Sequence, residues 1–336
     1  MVTTLVLPGH DETSLRRAAA AIRAGEPVAF PTETVYGLGA NALDAQAVAR
    51  VFAVKERPAF DPLIVHLADA GEVDRYAAAT AAEGELSAEL ASAFWPGPLT
   101  IVLPRRPIVP GIVTAGLDTV ALRVPDHPVA LALIAAAGVP IAAPSANRFG
   151  RVSPTRAEHV VDQLGGRIEL VLDGGPCRVG VESTVVSLVG GVAVLLRPGG
   201  VPQEAIEAVV GPLHGPADGA DTISLSPGRA ASHYRPGPPM SLVAPGGSDV
   251  ARHGERLGLL AADDAGRRTA EATGGPFAAV EVLSPTGDEV EQAASLFEVL
   301  HRLSAANLDR IVAQPVPEVG LGRAVMDRLR RASAQG

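Results

Sequence analysis

The chain has 336 residues, of which 47% are hydrophobic and 19% charged, and its net charge is −9. That length exceeds the size at which a single core usually stops growing, and that composition excludes a disordered chain. The acidic balance argues against a dedicated nucleic-acid binder, which carries a basic face, and the single cysteine, Cys177, excludes an internal disulfide or a thiolate metal cluster.

In chain order, residues 14–24 predict a helix that stops at Gly25, with Pro27 just beyond. A short buried strand follows at 27–30, and Asp44 then caps a second helix running to Val54. Apolar runs at 63–67, 99–103, 120–124, 139–143 and 170–172 predict strands. Two more, at 184–189 and 192–196, are separated by Gly190-Gly191 and predict a hairpin. The longest apolar stretch, 129–144, is broken by Gly138 and Pro140, so it reads as a buried helix followed by a strand and not as a membrane span. The first ten residues have neither a basic segment nor a long apolar core, and a cytoplasmic chain is expected.

From 211 to 239 the texture turns to Gly, Pro, Ser and Ala with little periodicity, which reads as a linker carrying His233 and Tyr234. Beyond it a helix over 289–303, a strand over 310–313 and a last helix over 322–332 predict a second α/β unit. The expected organisation is an α/β domain with some antiparallel pairing over 1–210, a linker over 211–239, and a smaller α/β domain over 240–336.

Familiar nucleotide signatures fail. Gly37-Leu-Gly39-Ala-Asn-Ala42 imitates a dinucleotide fingerprint but lacks its third glycine and the acidic residue that would meet the ribose. Lys55, the only lysine, is not preceded by the glycines of a P-loop, and neither a zinc-binding His/Glu pair at helical spacing nor a nucleophile elbow is present. What remains is a set of polar clusters at the ends of apolar strands, where α/β proteins place ligands. Pro31 to Gly39 reads as a loop with two threonine hydroxyls, a carboxylate and two glycines. Lys55 and Arg57 put a point charge and a planar fork in one short segment, which suits a polyphosphate. Arg123 lies inside an apolar strand, where a guanidinium is costly unless an anion meets it. Ser145, Asn147, Ser153, Ser183 and Arg197 add hydroxyls, an amide and a further cation, without a metal cage.

Read in order, PTETVYGLGANA, KERPAFDPLIVHL, FWPGPLTIVL, LRVPDHP, APSANRFGRVSPT, DGGPCRVGVESTVV and LRPG resemble the YrdC-like threonylcarbamoyl-AMP synthase family over roughly residues 13–211. SPGRAASHYRP and VGLGRAVMDRL resemble the longer form of that enzyme, which has a C-terminal Rossmann-like domain. The resemblance implies a twisted mixed sheet with a concave active site. It also implies a nucleotidyltransferase that joins L-threonine, bicarbonate or CO2, and ATP with Mg²⁺ into threonylcarbamoyl-AMP and pyrophosphate, for threonylcarbamoyladenosine modification of tRNA. Carried over by motif, Thr34, His66, Arg123, the backbone at Ala143, and Ser183 would hold threonine. Arg57, Asp61, Thr119, Ser145, Asn147, Ser153, Arg197 and Tyr234 would hold ATP, with Lys55 and Arg57 acting on the phosphates. The implied partners are those substrates and a downstream threonylcarbamoyl transferase acting on tRNA, with no membrane and no stable nucleic-acid binding.

Two residues depart from the family's pattern, which has asparagine where this chain has Asp61 and glycine where it has Glu56. A carboxylate at 61 would repel phosphates unless it binds Mg²⁺ or turns away. The competing readings are an RNA-binding module and a carbamoyl-adenylate-forming relative. Scarce aromatics, at 3%, count against the first, and the single cysteine cannot supply the zinc motifs of the second.

Overall fold

The computed structural model describes residues 2–58, 60–215, 233–243, 254–274 and 276–334. Within these residues the chain divides into two compact units. The first comprises residues 2–58, 60–149, 154–178 and 182–215, and the second 150–153, 179–181, 233–243, 254–274 and 276–334.

The first unit is built on a mixed sheet of strands β1 (Leu5–Pro8), β2 (Val28–Phe30), β3 (Gly37–Asn41), β4 (Ile64–His66), β5 (Leu99–Pro104), β6 (Thr119–Arg123), β7 (Ile141–Ala143), β8 (Leu170–Asp173), β9 (Thr184–Ser187) and β10 (Val194–Arg197). Their order across the sheet is β1-β8-β2-β3-β7-β4-β6-β5-β9-β10. Helices cover both faces, so the central strands are mainly apolar on both sides instead of alternating. Val28, Phe30, Leu170 and Leu172 pack under the helices Glu12–Arg23 and Pro128–Ala137. The intervening Ala29 and Val171 point the other way, toward the helices Ala45–Lys55 and Ala157–Leu164.

Most strands and helices expected from the sequence lie within a few residues of their place, including the antiparallel β9–β10 hairpin, which carries an irregularity between Leu195 and Arg197. Asp44 caps its helix through the backbone N–H groups of Gln46 and Ala47. The segment from Gly37, read as loop, is instead strand β3. A Cβ at Gly39 would sit 2.5 Å from Ile141 Cγ2 and 2.6 Å from Phe30 Cε1. That glycine therefore serves close packing in the sheet and not a phosphate.

The second unit holds β11 (Met240–Leu242), β12 (Leu257–Ala261), β13 (Ala279–Val282) and β14 (Arg310–Ala313), ordered β11-β14-β12-β13 and all parallel. Parallel strands need crossover connections, here the helices Asp264–Gly274 and Glu289–Ala305, and the result is a Rossmann-like sheet. Most of the segment read as a linker, 216–232, lies outside the described residues.

Candidate active site

The site grows from three adjacent strands of the first unit. β4 and β6 run parallel with His66 opposite Arg123, and β7 runs antiparallel beside β4 with Ala143 opposite Ile64.

At the carboxyl ends of β4 and β6, Arg123 is 3% exposed. Its Nη2 donates to Thr34 Oγ1 at 3.0 Å and its Nε donates to the Gly97 carbonyl at 3.2 Å. The anion that such a guanidinium requires is Glu33, whose Oε1 lies 2.7 Å from Nη2. Thr32 fixes the loop between β2 and β3 by donating its hydroxyl hydrogen to the Val35 carbonyl at 2.7 Å. It is left to accept from Thr34 Oγ1, 2.8 Å away.

His66 Nδ1 is 3.3 Å from the Ile141 carbonyl, which can only accept, so Nδ1 carries the hydrogen and Nε2 is an acceptor. Burial, and then the charge of Arg123, pushes the imidazole down to about 3, so the ring is neutral near pH 7.

Ser183 enters from β9, which runs parallel to β5 with Thr184 opposite Leu99. Its Oγ lies 2.8 Å from Thr100 Oγ1. Arg197 Nη2 donates to the Ser183 carbonyl at 2.8 Å and to Ser183 Oγ at 3.3 Å. A Cβ at Gly199 would lie 2.3 Å from Ser183 C, so only glycine lets the chain after Arg197 lie against this segment.

The other end of the same strands gathers the remaining cations. The helix Ala45–Lys55 closes in a Schellman turn, with Glu56 N–H donating to the Ala53 carbonyl and Arg57 N–H to the Phe52 carbonyl. Glu56 takes the left-handed conformation this turn demands, at φ 56°, which explains the glycine usual there in the resembled family. Its carboxylate pairs with Arg148 at 2.9 Å and Arg167 at 2.8 Å. The turn sends Lys55 and Arg57 inward.

Lys55 is 1% exposed, and its ammonium donates to the carbonyls of Ser145 and Asn147 in the loop after β7. Burial, and then neighbouring Arg57, holds it well below the ordinary lysine range. Arg57 donates to the carbonyls of Asp61 and Pro62 and pairs at 2.8 Å with the Asp61 carboxylate, both side chains buried. The charge of Asp61 is thus met by an arginine of its own loop. Thr119 begins β6, four residues and about 13 Å along the strand from Arg123.

The two ends are joined through the Thr34 loop. The Ala146 N–H donates to the Tyr36 carbonyl at 2.7 Å, and Gly37 bridges Ser145. Thr34 with Arg123, Lys55 with Ser145 and Asn147, Arg57 with Asp61, and Arg197 with Ser183 thus form bonded sets, with His66 and Ala143 on the neighbouring strands β4 and β7.

Ser153 and Tyr234 are set in the second unit. The Ser153 carbonyl is 3.1 Å from His301 Nε2. Tyr234, 1% exposed and at φ 62°, stacks on Phe297 with centroids 5.4 Å apart and meets the His233 ring at 4.2 Å. The Arg328 guanidinium lies 5.7 Å from the Tyr234 ring.

Glu33 and Thr100, which motif reading did not name, touch the expected site residues Arg123 and Ser183. Their signals were a carboxylate in a short loop after a buried strand, and a hydroxyl inside an otherwise apolar one.

Residues 20–199 match the family described as Telomere recombination, of the Sua5, YciO and YrdC proteins, and residues 201–334 match the Threonylcarbamoyl-AMP synthase, C-terminal domain. The threonylcarbamoyl-AMP synthase of Pyrococcus abyssi is 46% identical over 96% of this chain and 95% of its own length. That of Bacillus subtilis is 43% identical over 96% and 94%. The crystal structure of P. abyssi Sua5 complexed with L-threonine superposes with a TM-score of 0.84 at 41% identity, covering 99% of this chain and 97% of that one. Matched through both of its regions and almost end to end, the chain belongs to the threonylcarbamoyl-AMP synthase family, in the form that carries the C-terminal domain.

Proposed function

We propose that this enzyme is a nucleotidyltransferase that condenses L-threonine, bicarbonate or CO2, and MgATP into threonylcarbamoyl-AMP and pyrophosphate, for modification of tRNA. The observation that carries the reading is the bipolar arrangement on β4, β6 and β7. One end offers a buried guanidinium, hydroxyls and a neutral imidazole; the other offers a buried lysine and arginine beside backbone and side-chain donors.

Threonine lies at the first end, with its carboxylate on Arg123 and its remaining polar groups against Thr34, Ser183, the Ala143 backbone and His66 Nε2. Once its ammonium has released a proton, the amine attacks CO2 and gives up a second proton to solvent, forming a carbamate. A carbamate oxygen then attacks the α-phosphorus of ATP in line and pyrophosphate leaves, a transfer that depends on positioning and on neutralising the departing charge. Arg57, Lys55 and Arg197 supply that neutralisation. Thr119, Ser145 and Asn147 orient the nucleotide, and the motifs that carry Ser153 and Tyr234 assign those two residues to it as well. An approaching triphosphate favours the charged form of Lys55, against the burial that disfavours it.

Among the described residues no group of three or more His, Cys, Asp or Glu side chains is placed to hold a metal ion, and the Asp61 carboxylate is paired with Arg57. We therefore assign Mg²⁺ to the triphosphate of the substrate and not to a cage of this chain. Among the described residues no helix is long and apolar enough to cross a membrane, and we place the enzyme in the cytoplasm beside a tRNA-acting transferase.

The test is incubation with L-threonine, bicarbonate, Mg²⁺ and ATP, with chromatography for the adenylate and an assay for pyrophosphate. Arg57→Ala should abolish pyrophosphate release; turnover within a few-fold of the parent would overturn the phosphate-end assignment. Tyr234→Ala should weaken ATP binding or raise the loss of adenylate to hydrolysis, and unchanged kinetics would remove Tyr234 from the nucleotide site.

A further inference from the structure

Glu33 takes no part in the roles assigned above, yet it lies at the centre of the threonine end. It is 1% exposed. Apart from the ion pair with Arg123, neither carboxylate oxygen has a hydrogen-bond partner among the described residues. A carboxylate so poorly satisfied in a dry setting is expensive, because its lost hydration is not replaced by donors. The same Nη2 of Arg123 serves both Glu33 and Thr34.

We infer that Glu33 receives the α-ammonium group of the bound amino acid, forming with Arg123 a clamp for a zwitterion. The inference rests on reading this end as the threonine site. When a substrate carboxylate takes Arg123, Glu33 loses its counter-ion and needs another cation. The α-ammonium, two bonds from the carboxylate carbon, is that cation. Four alternating charges then replace two, and no charge is left buried alone.

His66 is neutral and its Nε2 offers one lone pair. The other titratable groups that feel Glu33 are His127 and Cys177. Burial pushes the His127 imidazole below its ordinary range, and burial followed by the Glu33 charge pushes the Cys177 thiol up. The Thr32 hydroxyl hydrogen is spent on the Val35 carbonyl and that of Thr34 on Thr32, so these side chains meet an ammonium only through lone pairs.

The experiment measures dissociation constants by calorimetry for L-threonine and for (R)-3-hydroxybutanoate, which is threonine without its amine. The parent, Glu33→Gln and Glu33→Asp are compared, with KM for ATP as a control. Glu33→Gln should bind L-threonine about ten- to hundredfold more weakly, bind (R)-3-hydroxybutanoate more tightly than the parent does, and keep its KM for ATP within threefold. Glu33→Asp should fall between. If Glu33 were only a counter-ion for Arg123, Glu33→Gln would free the arginine and both ligands would bind as well or better, which overturns the inference. Should Glu33→Gln fail to fold, the parent decides with Glu33→Asp. The clamp requires the parent to reject the amine-free ligand by at least tenfold and Glu33→Asp to narrow that gap; equal gaps overturn it. Failure of the parent itself to bind L-threonine would refute the site reading and not the clamp alone.

Discussion

His66 and Arg123 face each other across β4 and β6, and that contact has a thermodynamic signature. The imidazole is pushed from its ordinary 6.5 down to about 3, chiefly by burial. Above pH 6.5 the ring is neutral in both folded and unfolded chains and contributes nothing to pH dependence. Below it the unfolded chain takes up a proton that the folded site refuses, so stability falls between 6.5 and 3 by up to about 1.4 kcal/mol per pH unit. His127, also lowered by burial, acts in the same direction. Urea unfolding at pH 7.5, 6 and 5 should show this loss, with a shallower slope in His66→Asn. Identical slopes would mean that the ring takes up its proton as easily folded as unfolded. Arg123 illustrates how far single residues were legible. An arginine in LRVP announces a need for an anion, but nothing local says that the anion is Glu33, ninety positions earlier. Pairings of that sequence separation come from strand order, which no motif records.

At the scale of elements, strands buried on both faces were legible because burial leaves mostly apolar residues on them, as in β4, β5 and β6. β3 was not, since Gly37 and Gly39 carry the composition of a turn while packing as a strand. The helix Ala81–Phe94, which the reading of the sequence passed over, starts at Thr80 with Glu83 three residues on, and both halves of that capping box form. The end of the helix Ala45–Lys55 shows the reverse case, a residue at odds with its backbone. Glu56 occupies a left-handed position and offsets the strain with two exposed ion pairs. Glu56→Gly loses the pairs and the strain together, whereas Glu56→Ala loses the pairs and keeps the strain. Calorimetry should find Glu56→Gly within about 2 °C of the parent and Glu56→Ala lower than Glu56→Gly by about 2–4 °C. Equal melting temperatures would show that the conformation costs nothing.

For the whole molecule, composition separated the α/β class from fibrous, disordered and membrane alternatives. Composition could not show that residues 150–153 and 179–181 group with the second unit. Such short segments carry no hydrophobic period of their own, and their allegiance is decided by tertiary contacts.

One feature of the phosphate end reaches beyond catalysis. The sole lysine of the chain is sealed behind the carbonyls it holds. Acylating reagents directed at primary amines should therefore find only the α-amino group on the intact fold, and modify the lysine solely in molecules whose loop has swung away. The rate of that second acylation, followed by peptide mass spectrometry, would time the loop's excursions without any engineered probe. Saturating nucleotide should slow it in proportion to occupancy. Rapid acylation indifferent to nucleotide would mean that the amine is open to solvent after all.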